Sequence, residues 1–127
     1  MSVFPDVEQV AQDISARHAE AYKFLPDDLE TVLLSSPVAL VERIGGMSDG
    51  VTDRALVQVS VWGIDRPTAW RVSGLIGEEF DTLRFGGVVG TVFVDTTERA
   101  TGEVQVPTDD PDERRVTATY RIDVRKQ

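Results

Sequence analysis

From Arg115 to Arg125 the chain alternates without a break, with Val116, Ala118, Tyr120, Ile122 and Val124 on one side and Thr117, Thr119, Arg121, Asp123 and Arg125 on the other. A period of two puts successive side chains on opposite faces of an extended strand, here roughly 36 Å long. Such a strand cannot bury its apolar side alone, so it demands a sheet and a layer packed on that sheet. Its other side, rich in Thr, Arg and Asp, makes it either a blunted sheet edge or a face that meets another chain. Residues 55–62 repeat the pattern: Val57, Val59 and Val61 point one way, Leu56, Gln58, Ser60 and Trp62 the other.

The covering layer is legible as two helices. Val7, Val10, Ala11, Ile14, His18, Ala21, Tyr22 and Leu25 fall at helical spacing, and Pro5-Asp6 suits a first turn, which predicts a helix over about 5–24. Pro26-Asp27-Asp28 stops it, and a loop or short extended piece runs to Ser36-Pro37. Val38 to Ile44 reads as a strand closed by Gly45-Gly46, followed by a polar loop to about Arg54. Asp65 stands at a cap position and Pro67 early in a second helix over 67–83, whose buried stripe is Ala69, Val72, Ile76, Phe80 and Leu83. Gly74 and Gly77 weaken that helix by ~1 kcal/mol each relative to Ala, which suggests close packing against a sheet or a neighbouring subunit. Val88–Thr97 reads as one strand, Gly102–Val106 as its continuation or a short partner, and Pro107–Glu113 as an exposed acidic loop. The expected fold is α/β of the α+β kind: one domain over 1–127, with an antiparallel-rich mixed sheet and two helices packed on one face.

Composition then narrows the function. With no Cys there is no disulfide scaffold, thiol nucleophile or Cys-based zinc site, and one His leaves no multi-histidine cluster. Net charge −9 disfavours a sequence-independent nucleic-acid binder, whose affinity comes from Lys and Arg on phosphates. Residues 1–36 hold much of the excess: Asp6, Glu8, Asp13, Glu20, Asp27, Asp28 and Glu30 against Arg17 and Lys23. No apolar run reaches membrane-spanning length, and the first residues lack the basic and apolar regions of a signal peptide, so synthesis in the cytoplasm is expected.

The chemical motifs are sparse. Phe85-Gly86-Gly87-Val88-Val89-Gly90 lacks the spacing of a phosphate loop and precedes a strand, so a turn or bulge is expected. Asp109, Asp110, Asp112 and Glu113 lack calcium-loop spacing and read as a solvated, partner-facing loop. His18 lies on the apolar stripe with no nucleophile tied to it, and Glu78-Glu79 reads as helix surface. No catalytic, cofactor or metal residue is assigned. Trp62 and Trp70 say more, because aromatics beside arginines at the ends of elements are what protein contacts are made of. One interface patch is expected at Arg66, Trp70 and Arg71, the other on the last strand with Trp62, Arg121 and Arg125.

Taken together, Val41-Glu42-Arg43-Ile44-Gly45-Gly46, Val57 to Arg66, the Ala69-containing helix, and the ending Thr119-Tyr120-Arg121-Ile122-Asp123-Val124-Arg125 after an acidic loop resemble the tail terminator proteins of long-tailed bacteriophages. The nearest likeness is to those of phages infecting actinobacteria, which suits eleven Arg against two Lys. The resemblance spans roughly residues 5–125. It implies a non-enzymatic virion protein forming a hexameric ring, which stops growth of the tail-tube protein and then joins a head-completion or connector protein. DNA would pass through the ring as a non-specific passenger. A head-closure or stopper neck protein is the nearest alternative. A small-molecule-binding α+β domain using Asp109, Asp112 and the arginines is a more distant one.

Overall fold

A computed structural model describes residues 3–105 and 114–127. In chain order the elements are α1 (Val7–Ser15), β1 (Glu20–Tyr22), α2 (Leu29–Leu33), β2 (Val38–Ser48), β3 (Thr52–Trp62), α3 (Arg66–Asp81), β4 (Gly87–Val89), β5 (Val92–Val94), β6 (Thr96–Gln105) and β7 (Arg115–Arg125). Five strands make one mixed sheet in the order β1-β2-β3-β7-β6, and β4 and β5 form a separate hairpin. Among the described residues only the β1–β2 pair is parallel. The α+β architecture expected from the alternating strands and two helical stripes is the one found.

The two strands with the clearest alternation hold the centre. β3 and β7 pair along their whole lengths, from Thr52 opposite Arg125 to Trp62 opposite Arg115. Val57, Val59 and Val61 of β3 and Ala118, Tyr120, Ile122 and Val124 of β7 share one core with Val7, Val10, Ala11 and Ile14 of α1 and Val72, Ile76 and Phe80 of α3. Phe80 stacks on Tyr120 with ring centroids 4.0 Å apart and planes 5° from parallel. The Tyr120 hydroxyl is buried without a hydrogen-bond partner among the described residues, and burial pushes its pKa well above the ordinary value. Asp65 caps α3 and Asp6 caps α1, each accepting backbone N–H bonds from the first turn.

Four local expectations change. The first helix ends at Ser15, not near residue 24, and residues 20–22 become the sheet-edge strand β1. His18, Ala21 and Tyr22 match helical spacing, but the free edge of β2 offers backbone partners: Glu20 pairs with Val38 and Tyr22 with Leu40. Gln12 Nε2 donates to the Ala21 carbonyl at 2.9 Å and ties the strand to the helix. Residues 29–33 form the short helix α2 instead of a loop or extended piece. Gly45-Gly46 does not end the second strand but bulges it. The register shifts between Arg43 and Gly45, and Gly46 has φ +102°, where a Cβ would run into the Arg54 carbonyl oxygen. Finally, residues 88–97 are no single strand: Gly90, at φ +60°, turns Val89 back onto Val92, and β6 begins at Thr96.

Beyond the bulge, Arg43 reaches the buried Asp53 by two hydrogen bonds of 2.7 Å, a fork that pins the far half of the β2–β3 hairpin.

Candidate functional site

Phe24, Ile44, Met47 and Val51 are exposed elsewhere, while α3 and the turns at its two ends expose Ile64, Trp70 and Phe85. At its amino-terminal end, Gly63 makes the strand-to-helix turn where a Cβ would lie 2.7 Å from Ala69 N. The Thr68 hydroxyl and amide hold the Asp65 carboxyl below the usual carboxylate range. Beside this turn lies an open groove of about 170 Å³ walled by Leu33, Leu34, Pro37, Ile64 and Thr68. Leu34 is 76% exposed and Ile64 51%. Arg114 braces the same end, donating to the Ile64 carbonyl at 3.2 Å and to the Glu30 carboxylate at 2.8 Å.

Arg66, Trp70 and Arg71 all lie on the exposed side of α3, so the structure does bring this expected patch together. Trp62, Arg121 and Arg125 do not join it. They belong to the sheet face opposite the helices, and the Arg115 guanidinium lies over the Trp62 ring, 5.6 Å from its centroid. Arg125 is ten residues of strand away from Arg115, roughly 33 Å. β7 lies between β3 and β6, which removes the edge reading of the last strand and leaves the face reading. Both of its expected interface arginines are occupied internally: Arg121 pairs with Glu98 at 3.0 Å, and Arg125 pairs with Asp95 through two contacts of 3.0 Å. Asp109, Asp110, Asp112 and Glu113 lie outside the described residues.

The flank of α3 facing α1 corrects another reading. Glu79 is no mere surface acid: Arg17 Nη1 stands 2.6 Å from its Oε2 and His18 Nε2 3.1 Å from its Oε1. Arg17 first and His18 second hold the Glu79 carboxyl below the ordinary range. This cluster fastens the turn after α1 to α3, with His18 as one of the clasps. Gly77 has a packing reason of its own, because a Cβ there would lie 2.7 Å from a terminal nitrogen of Arg99 on β6. Around Gly74 there is nothing within 4 Å.

The carboxyl-terminal end of α3 holds what the sequence did not reveal. Phe85 is 91% exposed, with Val88 62% and Phe93 47% exposed on the hairpin that follows. The signal was an aromatic placed directly before a Gly-Gly turn, where a polar residue is the ordinary choice. Among the described residues no cluster of three or more His, Asp or Glu could hold a metal ion.

A family model for phage tail termination protein matches residues 3–127. The chain belongs to the phage tail termination protein family. The match takes in each segment that carried the resemblance, from Val41 through the last strand. It makes this a structural protein of the phage tail, located in the virion. Comparison with curated proteins gives no match. No helix among the described residues is long and apolar enough to cross a membrane.

Proposed function

We propose that the chain ends tail growth by assembling as a six-membered ring. One face of the ring would sit on the last ring of the tail-tube protein and the other would receive a head-completion protein, with DNA passing through the hole. The observation that carries this reading is the family match over nearly the whole chain. It is supported by exposed apolar groups on separate parts of the subunit, among them Leu34 and Ile64 near one end of α3 and Phe85 and Val88 at the other. A closed ring needs a head-to-tail contact between two different patches. Arg66, Trp70 and Arg71 form one exposed patch on α3, whereas on the sheet face Arg121 and Arg125 are spent on Glu98 and Asp95, which leaves Trp62 there.

The acid excess suits the passage of DNA, since carboxylates along the hole would keep the phosphates from sticking. Asp6 and Glu30 are spent on Lys23 and Arg114. Glu8 accepts the Arg43 backbone N–H at 2.8 Å. Asp13, Glu20, Asp27 and Asp28 have no ion-pair partner among the described residues, which makes them the better candidates for such a role.

The test is mass by light scattering, alone and on isolated tail tubes, combined with tail length in a phage lacking the gene. Six copies and overlong tails are expected. A chain that is monomeric in both settings, with tails of normal length in its absence, overturns the reading. Capture of a portal-side protein in place of the tail-tube protein would transfer it to head closure.

A further inference from the structure

We infer that the two ends of α3 are the two halves of one contact between copies of this chain: Phe85 of one copy enters the groove beside Ile64 and Leu34 of the next. This rests on the ring reading above and assigns its contact to residues.

Phe85 is an exposed aromatic on a fixed mount. The turn behind it is closed by Gly86 N–H donating to the Leu83 carbonyl at 3.0 Å, with Leu83 buried and Gly86 at φ +104°. The hairpin beside it is anchored by Val89 and Val94 in the core. Gln127 clamps Phe93 from both sides, accepting from its N–H at 3.0 Å and donating to its carbonyl at 2.7 Å. An aromatic held this way loses little freedom on docking, which is the condition under which its burial counts fully toward affinity.

The groove is the matching concavity: Leu33, Leu34, Pro37 and Ile64 give it its apolar surface, Ser35, Ser36 and Thr68 complete the lining, and no Lys or Arg is among them. It opens at the first turn of α3, whereas Phe85 follows the last. Sixteen helical residues separate the two by about 24 Å, so no copy can fill its own groove. The contact is therefore between unlike patches, the kind that propagates around a ring.

Charge favours the same occupant. The Arg84 guanidinium lies over the Phe85 ring, 5.6 Å from its centroid, and would arrive with it. Asp65 stands between the lining residues Ile64 and Thr68, and Asp27 and Asp28 lead into α2. The nearby cations are Arg66 and Arg71 on α3 and Arg114, and Arg114 is taken up by Glu30, so the three carboxylates exceed the two remaining arginines by one charge, the sign that suits Arg84.

Because the chain has no Cys, the pairing is directly testable. Arg84→Cys and Ser35→Cys variants, which keep Phe85 and Leu34, mixed under mild oxidation in solution or on isolated tail tubes, are expected to crosslink roughly tenfold or more faster than either alone, through the raised effective concentration. Phe85→Glu and Leu34→Glu should each run as monomers, while their equimolar mixture gives a two-copy species, because each retains the half the other lacks. That rescue also shows both variants to be folded. If wild type assembles but Phe85→Glu assembles equally well, or the mixed cysteines crosslink no faster than the separate ones, the contact is wrong and the ring reading survives. Failure of wild type to assemble in either setting overturns both.

Discussion

The two glycines of α3 should respond to alanine with opposite signs. In an exposed helix interior Gly costs about 0.8–1 kcal/mol relative to Ala, so a site with room for a Cβ gains that amount. Gly74 is such a site, and Gly74→Ala should stabilise by about 1 kcal/mol, raising Tm by about 4 °C for a chain of this size. At Gly77 the new Cβ would lie 2.7 Å from Arg99 Nη2, 3.0 Å from its Cζ and 3.0 Å from Glu103 Oε1. A free guanidinium would swing aside at little cost. This one is held, with Nε 3.1 Å and Nη2 2.8 Å from the Asp81 carboxylate and Nη1 2.8 Å from Glu103. Displacing partly exposed ion pairs costs about 1 kcal/mol after solvent screening, and overpacking adds about 1 kcal/mol or more. These terms outweigh the propensity gain, so Gly77→Ala should destabilise by about 1 kcal/mol, and the two alanines should differ by about 2. Urea unfolding at low protein concentration reads both. In an Arg99→Ala background Gly77→Ala should turn stabilising, because the obstruction is gone. If Gly77→Ala matches Gly74→Ala in the unaltered chain, the account of Arg99 as a fixed neighbour is wrong.

Two further outcomes follow from the β2–β3 hairpin. Arg43→Ala leaves the Asp53 carboxylate buried without its forked partner and should cost about 2–3 kcal/mol in urea unfolding, below the full cost of breaking a buried pair because Arg43 itself is 35% exposed. The Arg43→Ala, Asp53→Ala double variant should recover most of the loss, and a simple sum of the two single effects would refute the pairing. At the hairpin turn, the backbone amides of Thr52 and Val51, then Arg54, hold the Asp49 carboxyl at about 2, against 3.8 for an unperturbed Asp. A depressed carboxylate contributes stability that is complete above the unfolded value and lost as pH falls through the folded one, so the turn should weaken from about pH 4 down to about pH 2. Carboxyl-carbon NMR should give that midpoint, with the Val51 and Thr52 amides losing protection over the same range. A midpoint near 4 would refute it.

The parts legible in the sequence are those whose pattern is local. β7 runs over the span its alternation marks, Arg115–Arg125, because both faces obey the same period. α3 begins at the cap supplied by Asp65. The parts that were misread depend on partners distant in sequence. Ala21 and Tyr22 keep a helical spacing but are claimed by Ala39 and Leu40, and no local signal reveals that β2 has an edge to offer. Likewise nothing near Thr96 shows that it will lie against Asp123, which is what breaks the expected long strand after Val94.

The candidate site was harder to read for a related reason: whether an arginine is available to a partner depends on which carboxylate the fold places beside it. In the sequence, arginines near Trp62 and Trp70 and on the last strand read as interface chemistry. Yet Arg17, Arg43, Arg54, Arg99, Arg114, Arg121 and Arg125 each pair with a carboxylate of the same chain, mostly between elements far apart in sequence. Much of the arginine therefore works as forked cross-links within the subunit, a task to which the guanidinium is better shaped than an ammonium. Groups so committed contribute little to a contact, since a partner would have to break one ion pair to form another. Among the groups free of such commitments are apolar ones, Phe85 and Val88 at one end of α3 and Leu34 and Ile64 near the other. Burial of such groups needs no exchange of partners, and for that reason the assembly contact is assigned to them and not to the arginines of β7.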